Sequence, residues 1–160
     1  MKYFFVLLLL VACTCSTTQA QTVTKVKITE VVAMIDSATT PLVINFWATW
    51  CGPCVRELRY FEKVIQPFKA QGVKVVLVSL DYPDEFPKGI TDFAKNNGYT
   101  SELLWLNESD PTYFCPKIDP KWEASIPVTL MINPAKKYRQ FYNTQLLETQ
   151  LKLALQQLVQ

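Results

Sequence analysis

The 160-residue chain contains no histidine. That absence removes every Ser–His and Cys–His mechanism and every His-ligated metal site, so any chemistry must come from Cys, Asp, Glu, Lys or Tyr. Runs of like charge are also missing, and the net charge is only +2 at pH 7. Nucleic acid and anionic membrane surfaces therefore find nothing to hold. No internal repeat, low-complexity tract or linker interrupts the chain. The apolar run at residues 4–12 falls far short of the ~20 residues a membrane-spanning helix needs. What is present is a globular composition, 49% apolar and 19% charged, enough to build one domain around a real core.

The N-terminus reads as a targeting segment. Lys2 precedes the apolar run, and a polar stretch ends in Thr18-Gln19-Ala20, with small residues where a signal peptidase reads. Cleavage after Ala20 makes residues 1–20 a signal peptide and residues 21–160 the mature domain. A competing reading takes Leu10-Val11-Ala12-Cys13 as a lipobox, with a lipid anchor at Cys13. Under either reading the folded part is exported, to an extracytoplasmic and most simply periplasmic location. Of five cysteines, Cys13 and Cys15 then belong to the leader. The domain keeps Cys51, Cys54 and Cys115, an odd number that does not make a disulfide framework.

Periodicity places the elements. Residues 42–47, introduced by Pro41, read as a buried strand. Cys54, Leu58, Phe61, Ile65 and Phe68 recur at helical spacing, with Gly72 as the stop and Pro67 expected to kink the last turns. Residues 73–80 read as a strand covered on both faces. A short helix follows at 90–97, ended by Gly98, and a short strand at 103–106. Residues 128–132 and 138–142 flank a turn at Asn133-Pro134, which reads as a hairpin. Leu147, Leu151, Leu155 and Leu158 mark a closing helix, capped by Asn143 or Thr144. Cys115, before Pro116, falls in a polar loop region and reads as an inert or lightly buried thiol, with a third redox partner as the alternative. The order implies an α/β fold, a central mixed β-sheet flanked by helices.

Trp50-Cys51-Gly52-Pro53-Cys54 sits where the first buried strand gives way to the long helix. A C-x-x-C pair at such a junction is a redox signal with a mechanism. The first cysteine meets the unsatisfied N–H groups and positive dipole end of the helix, which favour its thiolate. Such placement can lower a thiol pKa from ~8.5 to between ~3.5 and ~7.5. Pro53 needs no amide partner in the first turn. Half of a four-cysteine zinc site is the alternative, but Cys115 supplies no second pair; a purely structural disulfide explains neither the Gly-Pro insert nor the location.

Residues 43–54, Val-Ile-Asn-Phe-Trp-Ala-Thr-Trp-Cys-Gly-Pro-Cys, resemble the active-site strand and turn of the thioredoxin superfamily. The export signal and the segment 122–133 are more similar to its extracytoplasmic TlpA/ResA-type branch. The resemblance, spanning roughly residues 26–160, implies a thioredoxin-like fold and exchange of a redox-active Cys51–Cys54 disulfide with client proteins. It implies that Pro127, in Ser125-Ile126-Pro127-Val128, is a cis-proline opposite the cysteines. Ile126 would then pair with an extended client as in strand addition, with Trp50, Gly52 and Pro53 completing the client-binding surface. Cytosolic thioredoxins carry a buried aspartate where this chain has Asn45. The TlpA/ResA branch instead offers a glutamate three residues after the second cysteine, here Glu57, as the proton handler. An i, i+3 spacing puts Glu57 on the same helix face as Cys54. The alternative is a solvated carboxylate in the first helical turn. The branch often has proline where Arg59 stands.

The expectation is therefore an exported protein thiol–disulfide oxidoreductase that needs no metal or organic cofactor. The Gly-Pro insert favours the reducing direction, with electrons from a membrane-borne thiol donor because the outer compartment is oxidising. Alternatives are a disulfide oxidase or isomerase, a redox-inert peptide-binding module, and a thiol copper carrier, the last weakened by the missing histidine.

Overall fold

The structure, a computed structural model, describes residues 22–160. The expected signal peptide with cleavage after Ala20, and the alternative anchor at Cys13, lie outside the described residues.

Six strands form one sheet in the order β1-β4-β3-β2-β5-β6. They are β1 (Val23–Val26), β2 (Leu42–Trp47), β3 (Lys74–Ser79), β4 (Glu102–Leu106), β5 (Val128–Asn133) and β6 (Tyr138–Tyr142). The first four in that order run parallel, β5 runs antiparallel to β2, and β6 runs antiparallel to β5. The mixed sheet expected from sequence is thus present. Helices cover both faces: α1 (Ile28–Asp36), α2 (Gly52–Lys69), α3 (Lys88–Asn96), α4 (Pro111–Ile118) and α5 (Glu148–Val159).

Side-chain alternation along β2 divides the core. Val43 and Trp47 join Leu58, Phe61 and Ile65 of α2, Ile90 of α3 and Leu151, Leu155 and Leu158 of α5 on one face. Ile44 and Phe46 join Ile28 and Val31 of α1 and Phe114 and Ile118 of α4 on the other. All six residues of β2 are buried, as a strand sandwiched between two helical layers requires. A buried leucine or phenylalanine contributes about 1.5–3 kcal/mol, so these faces fix β2, and with it the turn that follows, rigidly.

Gly72 and Gly98 close α2 and α3 with φ of +90° and +70°, a region other residues enter only at a cost. Pro67 lies inside α2, which runs on to Lys69.

Three expectations change. Residues 23–36 form a strand and a helix that the periodicity did not reveal. Cys115 and Pro116 lie in α4, not in a loop. The last helix starts at Glu148 with Leu147 as its N-cap residue, not at Asn143 or Thr144, because the intervening segment is held by α2. The Leu146 N–H donates to Glu57 Oε2 at 2.6 Å, and the Tyr60 hydroxyl donates to the Leu146 carbonyl.

Candidate active site

The turn after β2 delivers Cys51 to the N-terminus of α2 as its N-cap residue. Pro53 occupies the first turn, where a missing N–H costs nothing. The Cys54 backbone N–H donates to Cys51 Sγ at 3.2 Å, so the sulfur takes up one of the helix's orphan donors. Cys51 and Cys54 form a disulfide, S–S 2.07 Å. The two sulfurs differ in access: Cys51 is 5% exposed and Cys54 fully buried. A Cβ placed on Gly52 would meet only Arg56 Nη1 at 3.5 Å. Crowding within the chain therefore does not demand glycine there, and its small size leaves the approach to Cys51 open.

Asp81, to which sequence reasoning assigned no role, fixes this turn from the end of β3. Its carboxylate accepts the Thr49 N–H at 3.0 Å, the Thr49 hydroxyl at 2.6 Å and the Ser79 hydroxyl at 2.7 Å. Its own carbonyl accepts Trp105 Nε1 at 2.8 Å. Asp81 is 4% exposed, and each charge-assisted bond in such a setting is roughly twice as strong as a neutral one.

The loop before β5 faces the cysteines. The Ile126–Pro127 peptide is cis, and the Ile126 carbonyl oxygen lies 3.7 Å from Cys51 Sγ. Trp122 anchors this loop: its Nε1 donates to the Ser125 carbonyl at 2.8 Å, and its ring packs on Phe46, with centroids 4.6 Å apart. Trp50 is half exposed and stacks on Tyr82 at 6.0 Å. Trp50, Tyr82, Trp105, Phe114 and Ile126 line a cleft of about 580 Å³ beside the disulfide. Trp47, in contrast, is fully buried against Phe93 and Tyr99.

Glu57 is fully buried, which disposes of the solvated alternative. Its Oε1 accepts Asn45 Nδ2 at 2.9 Å and its Oε2 accepts the Leu146 N–H. Burial pushes the Glu57 carboxyl from its ordinary 4.5 up to about 7, against these two hydrogen bonds, which favour the charged form. A base is most useful with its pKa near working pH.

The structure therefore brings together Trp50, Cys51, Gly52, Pro53, Ile126 and Pro127, with Cys54 and Glu57 on the inner side of α2. Cys115 stands apart as a buried free thiol on α4, its pKa raised by burial to about 11. Phe86–Pro87, a second cis peptide, was not anticipated.

Known proteins resemble the chain in sequence and in fold. The chain is 33% identical over 81 residues to the thiol-disulfide oxidoreductase ResA of Oceanobacillus iheyensis, covering 46% of this chain and 42% of that protein. It is 30% identical over 94 residues to ResA of Bacillus subtilis, covering 59% and 48%. The chain thus spans about half the length of the curated relatives it matches. The fold is similar to a thioredoxin-related protein from Neisseria meningitidis (TM-score 0.60, 26% identity, 78% of this chain and 90% of that one). It also superimposes on StoA of Bacillus subtilis (TM-score 0.57, 23% identity, 74% and 84%), a likeness of fold. The model of the AhpC/TSA family matches residues 16–141. The chain, on a thioredoxin-like α/β fold, belongs to the AhpC/TSA family.

Proposed function

We propose that the protein is an exported thiol–disulfide oxidoreductase that reduces disulfides in client proteins through Cys51 and Cys54. The observation that carries this reading is the asymmetry of the pair: Cys51 caps α2 and receives the Cys54 N–H at 3.2 Å, while Cys54 is fully buried behind it. The relatives named thiol-disulfide oxidoreductases support it.

In the dithiol state the Cys51 thiolate attacks a client disulfide. A mixed disulfide forms and the first client thiolate leaves. Cys54 gives its proton to Glu57 and attacks Cys51 Sγ, which expels the second client thiolate. Two electrons pass to the client and the Cys51–Cys54 disulfide remains. A thiol donor must restore the dithiol, and for an exported protein that donor is membrane-borne. Ile126 offers its backbone beside Cys51 to an extended client strand. Trp50, with Gly52 and Pro53, presents the surface the client crosses, and the adjacent cleft receives flanking side chains. No metal or organic cofactor enters the exchange.

Equilibration with glutathione redox buffers tests the direction. A reductase has a potential nearer the about −270 mV of thioredoxin than the about −120 mV of a strong oxidant. A value above about −180 mV would instead make the protein an oxidase or isomerase.

A further inference from the structure

Asn45 and Thr129 are directly opposite each other in the β2–β5 pair. Asn45 Nδ2 donates both to Glu57 Oε1 and to Thr129 Oγ1, each at 2.9 Å. All three side chains are fully buried. Asn45 Oδ1 is also buried and has no hydrogen-bond partner among the described residues. An amide this deep normally satisfies both ends, so the unpaired Oδ1 leaves this one short of a donor.

The charged carboxylate is well served. One oxygen takes the Asn45 amide and the other the Leu146 N–H. Once Glu57 gains a proton it becomes a donor on one oxygen, and two donors already point at it. The Leu146 N–H is main chain and cannot become an acceptor. The Asn45 carboxamide can, because its two ends differ only by a half-turn about its last torsion. After that turn, Oδ1 would accept from protonated Glu57 and from the Thr129 hydroxyl, which is itself free to donate. Either orientation leaves one end of the amide unpaired, Oδ1 now and Nδ2 after the turn. Two unpaired N–H donors cost more than one unpaired carbonyl oxygen, so the turn is favoured only once Glu57 becomes a donor that needs an acceptor.

We propose that Asn45 is a positioning residue that turns over when Glu57 takes a proton, with the Thr129 hydroxyl as its pivot contact. It thereby supports both the acid and the base form of the carboxyl during exchange. This rests on Glu57 being the acceptor of the Cys54 proton. That proton moves from Cys54 Sγ to a Glu57 oxygen when Cys54 attacks; the amide reversal itself transfers neither proton nor electron. The groups facing Glu57 are Asn45 from β2, Leu146 from the segment before α5 and Tyr60 from α2, with Cys54 three residues before it on the same helix. Tyr60 in turn feels Glu148 of α5.

Nuclear magnetic resonance of the reduced, isotopically labelled protein between about pH 5 and 9, a range bracketing ordinary carboxyl and thiol behaviour, tests the proposal without reference to activity. Cross-relaxation between the Asn45 Nδ2 protons and the Thr129 side chain should be strong above the Glu57 midpoint and lost below it. Glu57→Gln places a permanent donor and acceptor on the same atoms: the carbonyl of the substituted side chain takes the Leu146 N–H and its amide faces Asn45. That variant should show the low-pH Asn45 pattern at every pH. A second variant, Asn45→Ala, separates a two-state partner from a one-sided one. A partner that serves only the anion would raise the Glu57 midpoint by about one to two pH units on removal; a partner serving both forms leaves it within about half a unit. An Asn45 signal indifferent to pH, with Glu57→Gln resembling the high-pH wild type, would overturn the proposal. A normal reversal with unchanged resolving kinetics in Glu57→Gln would sink the acceptor role alone and leave the reversal standing.

Discussion

The Cys54 backbone N–H points at Cys51 Sγ from 3.2 Å, while the Cys54 sulfur lies wholly inside the protein. One residue thus offers its main-chain N–H to its partner's sulfur and hides its own side chain. In the reduced protein, iodoacetamide at mildly acid pH should alkylate Cys51 at least about tenfold faster than Cys54, because only a thiolate within reach reacts. Site-resolved mass spectrometry reads the order. Cys115, buried and with its thiol pKa raised to about 11, should stay unmodified until the chain unfolds. Faster labelling at Cys54 would reverse the assigned roles.

The cysteine pair, the strand before it and the helix after it were legible because each repeats a strong local pattern. Residues 42–47 are almost wholly apolar, and α2 carries its buried residues at regular helical spacing. The first strand was not legible: β1 spans four residues and buries only its two ends. In α1 only Ile28 and Val31 are fully buried, too few for a helical stripe. Pro116 hid α4, yet Asp110-Pro111 was a readable start: Asp110 accepts the Thr112 N–H at 2.9 Å and proline follows at the first helical position. The late start of α5 was illegible in principle, since Leu146 is held by Glu57, which is 89 residues away in sequence. The same holds for Asp81 and Thr49, 32 residues apart.

Glu57 makes stability depend on pH with an unusual sign. Its carboxyl is raised from 4.5 to about 7 on folding, chiefly by burial. Between those values the folded chain holds a proton that the unfolded chain has released. The stabilisation is therefore complete below about 4.5 and lost as pH rises through about 7. Urea unfolding of the disulfide form at pH 5 and pH 8 should show wild type losing up to about 3 kcal/mol over that interval. Glu57→Gln, which cannot titrate, should lose clearly less. Equal slopes for the two proteins would place the Glu57 titration elsewhere.

The same residue should govern the second half of the exchange. Single-turnover release of client from the Cys51 mixed disulfide should speed up as pH rises through about 7, where Glu57 becomes able to accept the Cys54 proton. Glu57→Gln should slow this step by about 10²–10⁴-fold, the usual worth of a positioned base, and alter the first attack far less. Identical release rates in the two proteins across the range would leave Glu57 without a role in proton transfer.

Asp81 should matter through the turn it holds. Removing its carboxylate in Asp81→Ala strips partners from the Thr49 N–H and the Ser79 hydroxyl. Leaving such groups buried and unsatisfied costs about 1–3 kcal/mol each, so unfolding midpoints in urea should fall by a corresponding amount. A loss under about 0.5 kcal/mol, typical of surface changes, would show that water replaces the carboxylate without difficulty.

The exchange mechanism depends on Cys51 being the sulfur that joins to the client. Cys54→Ser removes the resolving thiol and leaves Cys51 at the head of α2. Incubated reduced with a disulfide-containing protein such as insulin, this variant should accumulate a covalent adduct. Peptide mapping should place the bond at Cys51, and dithiothreitol should release it. No adduct, or one mapped to Cys115, would contradict the account at its centre.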